Sequence, residues 1–194
     1  QLLAGAIGVA ILICVARGGA ASGRVAAAML AACWLWVGWA FHAERYAAIN
    51  LAANYFALGF GIEALLLLWV GAVRGRLAFM PVRSGLDRAA LGLLLFALLA
   101  YPLLAVASGR PWRQMELFGV APDPTALATL GLLLLPASVP WWLLPIPLLW
   151  CAISGATLWT MQAPDAWVGP LAAVLALLLF AIKEKPGRPG VVRS

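Results

Sequence analysis

Glu63 is an acidic residue inside an otherwise apolar segment, residues 60–66. If a helix begins at Asn50, Glu63 lies about 20 Å along it, at 1.5 Å per residue. An unpaired carboxylate inside a hydrocarbon core costs several kcal/mol, so it must be protonated, paired or exposed to water. We therefore expect Glu63 to face other helices, as a proton or cation site. The alternative is a protonated side chain that hydrogen-bonds a neighbouring helix.

A second set of polar residues falls in two short links between apolar segments. These residues are His42, Glu44, Arg45, Arg110, Arg113 and Glu116. Arginines recognise carboxylates and phosphates, so the set is a candidate mouth for an anionic or zwitterionic ligand. The alternative is an interfacial lid, because Trp112, Met115 and Phe118 alternate with the charges. In both cases we expect the charged residues of the later link to contact those of the earlier one.

Three further polar residues are predicted to be structural, as helix N-caps. Asp123 and Asp165 each follow a proline at the start of an apolar segment, and Asn50 precedes another. Asn and Asp are preferred at N-caps because their side chains accept free N–H groups of the first turn, and proline is common beside them.

Several kinds of chemistry lack the residues they need. His42 is the only histidine, which excludes paired histidine ligands for haem and a Ser-His-Asp set. The cysteines, Cys14, Cys33 and Cys151, are far apart and have no CxxC spacing for a metal. The last apolar segment has no central lysine for retinal, and no glycine-rich phosphate loop is present. We therefore expect no metal, no cofactor and no enzymatic activity.

Composition points to a membrane protein. Hydrophobic residues make up 65% of the 194 residues and charged residues only 10%, against about 25% charged in a soluble domain. So few charges cannot cover a folded surface with polar groups, so the surface must face lipid. The net charge of +6 then reflects basic residues on one side of a bilayer, not nucleic-acid binding.

The apolar segments predict an all-α, polytopic membrane helical bundle of about seven transmembrane helices. The predicted helices are a first one that ends near Ala16, then 24–41, 50–73, 87–106, 124–138, 141–160 and 164–182. We expect the first helix to begin before Gln1, because 15 apolar residues, 2–16, fall short of the roughly 20 that a straight span needs. The whole of 1–183 is predicted to be one transmembrane domain, with a cytoplasmic basic tail at 184–194.

Helices 5 and 6 are predicted to be short and interrupted by proline. The prolines in question are Pro136, Pro140, Pro145 and Pro147. One interpretation is that the Pro-Asp pairs at Asp123 and Asp165 are two good starts, of helices 5 and 7, and that residues 154–156 only permit close helix packing. The other is a pair of discontinuous helices that line a site, as in many transporters. Hydroxyls for such a site would come from Thr125, Thr129, Ser154 and Thr157.

Basic residues alternate from link to link along the chain. One side of the bilayer would hold Arg17, Arg24, Arg74, Arg76, Arg83, Arg88, Lys183, Lys185, Arg188 and Arg193, and the other Arg45, Arg110 and Arg113. Short basic loops resist translocation. The pattern therefore predicts a bacterial inner-membrane protein with its N-terminus outside and its C-terminus in the cytoplasm.

Several blocks of sequence carry a resemblance to a known family. They are Phe118-Gly119, Pro122-Asp123-Pro124-Thr125, Thr129-Leu130-Gly131-Leu132, the segment 146–151 with Ser154-Gly155, and Ile49-Asn50. The chain resembles a functionally unassigned bacterial family of small multi-helix membrane proteins over about 2–183. That family favours Pro where this chain has Leu51, and often Cys in place of Asp123. The resemblance implies a membrane location, no activity, and no general requirement for a carboxylate at Asp123.

Two classes of function fit these features. The favoured one is an accessory or binding subunit of a membrane complex, with Trp34, Trp36 and Trp39 as contacts to other subunits or apolar ligands. The alternative is a small transporter for an ion or an anionic or zwitterionic solute, which would use Glu63 and the arginines. The expected partners are the lipid bilayer, other membrane subunits and a small solute or ion, and not nucleic acid.

Overall fold

The computed structural model describes residues 2–184, which form an all-α bundle of seven apolar rods, as predicted. The rods are α1 (Leu2–Arg17), α2 (Gly19–Trp36, continued by a π-helix Val37–Ala43), α3 (Ala53–Leu66, continued by a π-helix Leu67–Val73), α4 (Gly85–Leu95) joined through Phe96–Ala100 to α5 (Tyr101–Ala107), α6 (Pro122–Leu133), α7 (Pro145–Thr160) and α8 (Val168–Lys183). Short 3₁₀ turns occur at Tyr46–Ala48, Trp112–Gln114 and Trp141–Leu143. Gln1 and the predicted basic tail beyond Glu184 lie outside the described residues.

Within the described part of the chain, four helices are long and apolar enough to cross a membrane. They are Gly19–Ala48, Ala53–Val73, Gly85–Ala107 and Trp141–Thr160. Two others, α1 and α8, are equally apolar but shorter. The apolar helical character is thus confirmed, while the number of spans and their orientation stay predictions.

Helix α6 lies at the centre of the bundle, and all of its 12 residues are buried. It packs against α2, α4, α7 and α8. Its contact with α4 is close, because a Cβ at Gly131 would lie 2.6 Å from the Leu94 nitrogen. Its twelve residues span only about 18 Å. Because α6 ends at Leu133, the predicted helix, which extended to Ser138, is too long.

The link between α3 and α4 fills the space beyond the end of this short helix. Leu77 and Phe79 are buried there, and the Gly19 N–H donates to the Phe79 carbonyl at 2.9 Å. The same residue, Phe79, forms a β-bridge with Pro136 after α6. Gly23 of α2 touches this link so closely that a Cβ would lie 1.5 Å from the Leu77 carbonyl oxygen.

Polar contacts tie several helix ends together at this end of the bundle. Lys183 Nζ donates to the Leu134 carbonyl at 2.7 Å, which places a positive charge at the C-terminus of α6, and it lies 3.5 Å from Asp87. Ser84 and Asp87 form a capping box at the start of α4. We call this the basic end, and it carries Arg24, Arg74, Arg76, Arg83, Arg88 and Lys183.

The four prolines stand between or at the start of helices. Pro136 and Pro140 lie in the connection from α6 to α7, Pro145 is the first residue of α7, and Pro147 belongs to its first turn. A first-turn proline sacrifices no helical hydrogen bond, because that N–H has no partner within the helix. These positions explain why α6 stops early and where α7 begins.

The three predicted N-caps are wrong. Asn50 accepts the Ala52 N–H at 2.8 Å in a turn before α3, which begins only at Ala53. Pro122 starts α6 one residue ahead of Asp123, and α8 begins at Val168, three residues beyond Asp165. Neither α6 nor α8 has a side-chain cap. Both carboxylates instead bind side chains that are distant in sequence.

Candidate functional site

A cleft with aromatic walls and two carboxyl groups opens at the end of the bundle opposite the basic end. We call it the aromatic cleft; its volume is about 170 Å³, and its lining includes Phe41, Tyr46, Phe56, Trp150, Glu116 and Asp123. The aromatic rings come from the end of the α2 rod, the 3₁₀ turn that follows it, the start of α3 and the middle of α7. The carboxyl groups come from the link before α6 and from its first turn.

The carboxylate of Asp123 is buried at the base of this cleft and accepts three hydrogen bonds. Trp150 Nε1 donates to Oδ1 at 2.7 Å, while Ser154 Oγ and Tyr101 OH donate to Oδ2 at 2.7 Å and 3.1 Å. No basic side chain among residues 2–184 forms an ion pair with it. Burial raises the pKa of the Asp123 carboxyl, and the three hydrogen bonds act in the opposite direction because they stabilise its ionised form. The cleft therefore contains a buried carboxyl group whose hydrogen-bond partners are all neutral.

Two threonines hold the start of α6 in position. Thr125 Oγ1 accepts the Gly119 N–H at 2.9 Å and donates to the Ala121 carbonyl at 2.7 Å. Thr129 Oγ1 accepts from Trp34 Nε1 at 2.8 Å. Gly119 itself has a positive φ of 70° and packs against α1 and α2, where a Cβ would lie 3.0 Å from Cys33 Sγ. The threonine hydroxyls thus orient Asp123 rather than line the cleft.

The sequence suggested that His42 lies in an open mouth, but the structure places it behind the wall of the cleft. Its side chain is fully buried, and neither ring nitrogen has a hydrogen-bond partner. The ring packs among aromatic side chains, with centroid distances of 4.6 Å to Phe60, 4.8 Å to Trp150, 5.1 Å to Phe41, 5.8 Å to Phe56 and 6.1 Å to Tyr46. His42 therefore contributes to the aromatic packing that shapes the cleft.

Arg110 has a different partner from the one expected. Its guanidinium pairs with Asp165 and lies 3.9 Å from Glu116. The expected contact with the earlier link is wrong for Arg110, because the α4–α5 rod lies beside α8 and brings residue 110 to the link before α8. This pairing leaves little free positive charge on Arg110 for an anionic ligand.

The remaining charged candidates are on the surface. Arg45 and Arg113 are exposed, and the guanidinium of Arg113 lies 5.5 Å from the Trp112 ring centroid. Glu44 is also exposed and accepts from Trp39 Nε1 at 3.2 Å. The structure does not gather these residues with Arg110 into one arginine-rich mouth.

Glu116 lies at the rim of the cleft with about a third of its side chain, 36%, exposed. Burial, and next the negative charge of Asp123, raise the pKa of Glu116 to about 7, although Arg110 acts in the opposite direction. The rim of the cleft therefore changes its charge close to neutral pH.

Glu63 is fully buried in the bundle, as expected, and neither carboxyl oxygen has a hydrogen-bond partner. Close contacts of Gly38 with Phe60 and of Gly71 with Ala27 set the antiparallel register of α2 and α3. This register puts Glu63 level with residue 35 of α2. Glu63 thus lies deeper in the bundle than the aromatic cleft and separate from it.

Sequence patterns missed two residues of the site, Tyr101 and Trp150. Each hydrogen-bonds to Asp123 from another helix, 22 and 27 residues away. A buried Tyr or Trp requires a partner for its polar atom, and this was the available signal. No group of three potential metal ligands occurs among residues 2–184.

The fold and the cleft define a bundle of apolar helices with one buried acidic site near an end. The chain belongs to a family described as "Family of unknown function (DUF6064)", whose model matches residues 1–188. This match confirms the resemblance to a functionally unassigned family. No curated protein and no solved structure matches the chain.

Proposed function

We propose that the protein is an integral membrane protein that binds a small organic cation of the ammonium type in the aromatic cleft. The observation that carries the proposal is the buried carboxylate of Asp123, which has three neutral donors and no basic partner among the described residues. A cation in the cleft would stabilise the ionised form of Asp123 and supply its counter-charge. Aromatic faces also attract cations within about 6 Å of their centroids.

The charges around the cleft favour a cation over the anion that the arginines suggested. Asp123 and Glu116 line the cleft, whereas Arg110 is paired with Asp165. A carboxylate ligand would meet two acids at close range and lose water without gaining a free guanidinium. A cation would instead find both charge and aromatic surface.

The size of the cleft supports a ligand of only a few heavy atoms. Its volume of about 170 Å³ is below the roughly 300–1,000 Å³ of sites for drug-sized molecules. The resemblance implied no general requirement for a carboxylate at Asp123. We therefore propose the cation preference for this chain's own carboxylate, and not for the family as a whole.

We place the protein in a bacterial inner membrane with the basic end in the cytoplasm, so that the aromatic cleft opens to the outside. Support comes from the basic residues, which are concentrated in alternate links, and from the four helices long enough to span. The proposed activity is binding, alone or as part of transport, and not catalysis.

Calorimetric titration of the purified protein with tetramethylammonium chloride tests the proposal. We expect the wild-type protein to bind and Asp123→Asn to weaken binding about tenfold or more, since a lost charge contact exceeds about 1.4 kcal/mol. Glu44→Gln, which removes an exposed acid near the same end, is the matched control and should bind like wild type. A parallel titration with sodium chloride measures the heat that arises from ionic strength alone.

Two results would overturn the proposal. One is a wild-type protein that does not bind tetramethylammonium, and the other is an Asp123→Asn variant that binds it normally. If Asp123→Asn fails to fold, Phe56→Leu provides a second test, because it keeps an apolar side chain but removes an aromatic face of the cleft. Binding of acetate or phosphate in place of the cation would favour the alternative of an anion-binding site formed by the arginines.

A second function, as an accessory subunit of a membrane complex, has its own support. Two apolar grooves flank α1, with volumes of about 290 and 500 Å³. A partner helix would cover such surfaces. Extraction in a mild detergent, followed by mass measurement of the particle, tests this function. Stoichiometric partner chains would support it, and a particle containing only this chain would contradict it.

A further inference from the structure

A second cleft lies at the basic end and combines arginines with tryptophans. We call it the basic groove; its volume is about 510 Å³, and its lining includes Leu66, Trp69, Val70, Arg74, Arg76, Ser138, Trp141 and Trp142. It lies between the end of the α3 rod and the connection from α6 to α7. It shares no lining residue with the aromatic cleft.

The two arginines of the groove are available for a ligand. Arg74 and Arg76 are exposed, and no acidic side chain among residues 2–184 pairs with either of them. The guanidinium of Arg74 lies 5.2 Å from the Trp69 ring centroid, which restricts its position without occupying its N–H groups. Nearby, Arg24 donates to the carbonyls at the end of the α3 rod and so satisfies those acceptors separately.

The tryptophans form one wall of the groove. Trp141 and Trp142 stack with their ring centroids 3.6 Å apart, and both are more than half exposed, at 51% and 60%. Their turn is anchored from behind, because Val139 and Leu143 are buried and the Val139 N–H donates to Glu184 Oε1 at 3.3 Å. Exposed tryptophans on a fixed turn are typical of the membrane–water interface.

The floor of the groove is apolar and leads along a helix that is long enough to span. Leu66 and Val70 of the α3 rod lie one helical turn apart beneath the arginines. The groove therefore offers positive charge at its mouth, aromatic surface at its side and aliphatic surface below. A phospholipid matches this arrangement, because its negatively charged phosphate would face the arginines and its apolar acyl chains would face the aliphatic floor.

We propose that the basic groove binds an anionic phospholipid, with its phosphodiester on Arg74 and Arg76 and an acyl chain along Leu66 and Val70. Arginine binds phosphate oxygens through paired N–H donors. Basic pockets between membrane helices on the cytoplasmic side are suited to anionic headgroups. The site is independent of the cation proposed for the aromatic cleft.

Native mass spectrometry of the full chain, released from vesicles of equal parts phosphatidylglycerol and phosphatidylcholine, tests this site. We expect phosphatidylglycerol to be retained severalfold more often than phosphatidylcholine. The double variant Arg74→Gln/Arg76→Gln should lose this preference. Arg83→Gln/Arg88→Gln removes the same charge from exposed residues of the same end, outside the groove, and should keep it.

Three outcomes would overturn the proposal. Equal loss of preference in both double variants would show a general effect of surface charge. No preference in the wild-type protein would show that the groove does not select lipid. If an excess of inorganic phosphate removes the bound phosphatidylglycerol, the groove is a site for free phosphate. Titration of the same variants with tetramethylammonium separates any failure here from failure at the aromatic cleft.

Discussion

At the scale of residues, the aromatic cleft depends on how a few acids are partnered. Asp123 and Asp165 have similar sequence surroundings, each after a proline, yet their partners differ. Asp165 pairs with Arg110, while Asp123 has only neutral donors. The first arrangement neutralises a charge and holds a link in place. The second leaves a buried carboxyl group with no positive partner among the described residues.

Glu116 makes the cleft sensitive to pH. Its pKa is raised to about 7, so the folded protein is most stable where Glu116 is protonated in both states and loses that contribution as pH rises from about 4.5 through about 7. Cation binding should show the opposite trend, because ionised Glu116 adds negative charge. We expect tetramethylammonium, which does not titrate, to bind more tightly at pH 8 than at pH 6.

The Glu116→Gln variant should remove most of this pH dependence of binding and flatten the stability curve over the same range. Calorimetry at several pH values and thermal unfolding measure the two effects, and Glu44→Gln is the control. A full pH dependence in Glu116→Gln would assign the effect to another group.

Glu63 tests whether transport accompanies binding. Its carboxyl is buried without a partner, and such groups within apolar helices often carry protons. In proteoliposomes, we expect a pH gradient to drive tetramethylammonium uptake, and Glu63→Gln to abolish the uptake while leaving calorimetric binding intact. Unchanged uptake, stability and binding in Glu63→Gln would favour a protonated side chain with a packing role.

The residues of the site were only partly predictable. Glu116 and the hydroxyl of Ser154 were predicted as candidate site groups, whereas Asp123 was predicted only as an N-cap. The contact of Asp123 with Trp150 was not predictable, because it depends on how two helices rotate against each other over 27 residues of separation. The prediction of an arginine-rich mouth was wrong for the same reason, because the partner of Arg110 lies 55 residues away in sequence.

At the scale of elements, α6 is the helix that organises the bundle. It is too short to cross a bilayer of about 30 Å, and the buried link through Leu77 and Phe79 occupies the space beyond its end. Pro136 accounts for its early end, but the predicted helix was extended past this proline to Ser138 because the surrounding residues are mostly apolar. Proline positions and apolar periodicity did predict most other helix boundaries within a few residues.

Gly23 tests the contact of this link with α2. A Cβ would lie 1.5 Å from the Leu77 carbonyl oxygen and 2.5 Å from its carbon, both of them backbone atoms that cannot rotate away. We expect Gly23→Ala to lower the free energy of unfolding by about 3 kcal/mol or more, or to prevent folding, since overpacking costs about 1–3 kcal/mol in ordinary cores.

The matched control is Gly92→Ala in α4, where nothing lies within 4 Å of the added Cβ. It should be neutral or slightly stabilising, because alanine favours helix over glycine by up to about 1 kcal/mol. Thermal unfolding in detergent, followed by circular dichroism, compares the two. Equal stability of Gly23→Ala and wild type would mean that the link does not pack against α2 as described.

At the scale of the whole molecule, the two ends of the bundle differ in charge and in architecture. The basic end has arginines, stacked tryptophans and tied helix termini, whereas the other end has the aromatic cleft. The charge alternation predicted this separation, because every second link lies at the same end of a bundle whose successive helices run in opposite directions. The charges alone could not predict the shape of the cleft at either end, because each cleft depends on how helices and links pack.

The predicted orientation rests on the same asymmetry and can be measured on intact cells. Met80, exposed in the link at the basic end, and Gln114, exposed at the other end, are suitable positions for single cysteines. We expect a membrane-impermeant maleimide to label Gln114→Cys directly and Met80→Cys only after permeabilisation. Equal labelling of both from outside, or labelling of Met80→Cys alone, would contradict the orientation.

The position of a bound cation is the most direct test of the cation proposal. Tetramethylarsonium has the charge and shape of tetramethylammonium, and its arsenic atom is an anomalous scatterer that a crystallographic map can locate. We expect one anomalous peak in the aromatic cleft, in contact with the Trp150 ring and facing the Asp123 carboxylate, and no such peak in crystals of Asp123→Asn. A peak elsewhere in the bundle, or an empty cleft at a saturating concentration, would contradict the proposal.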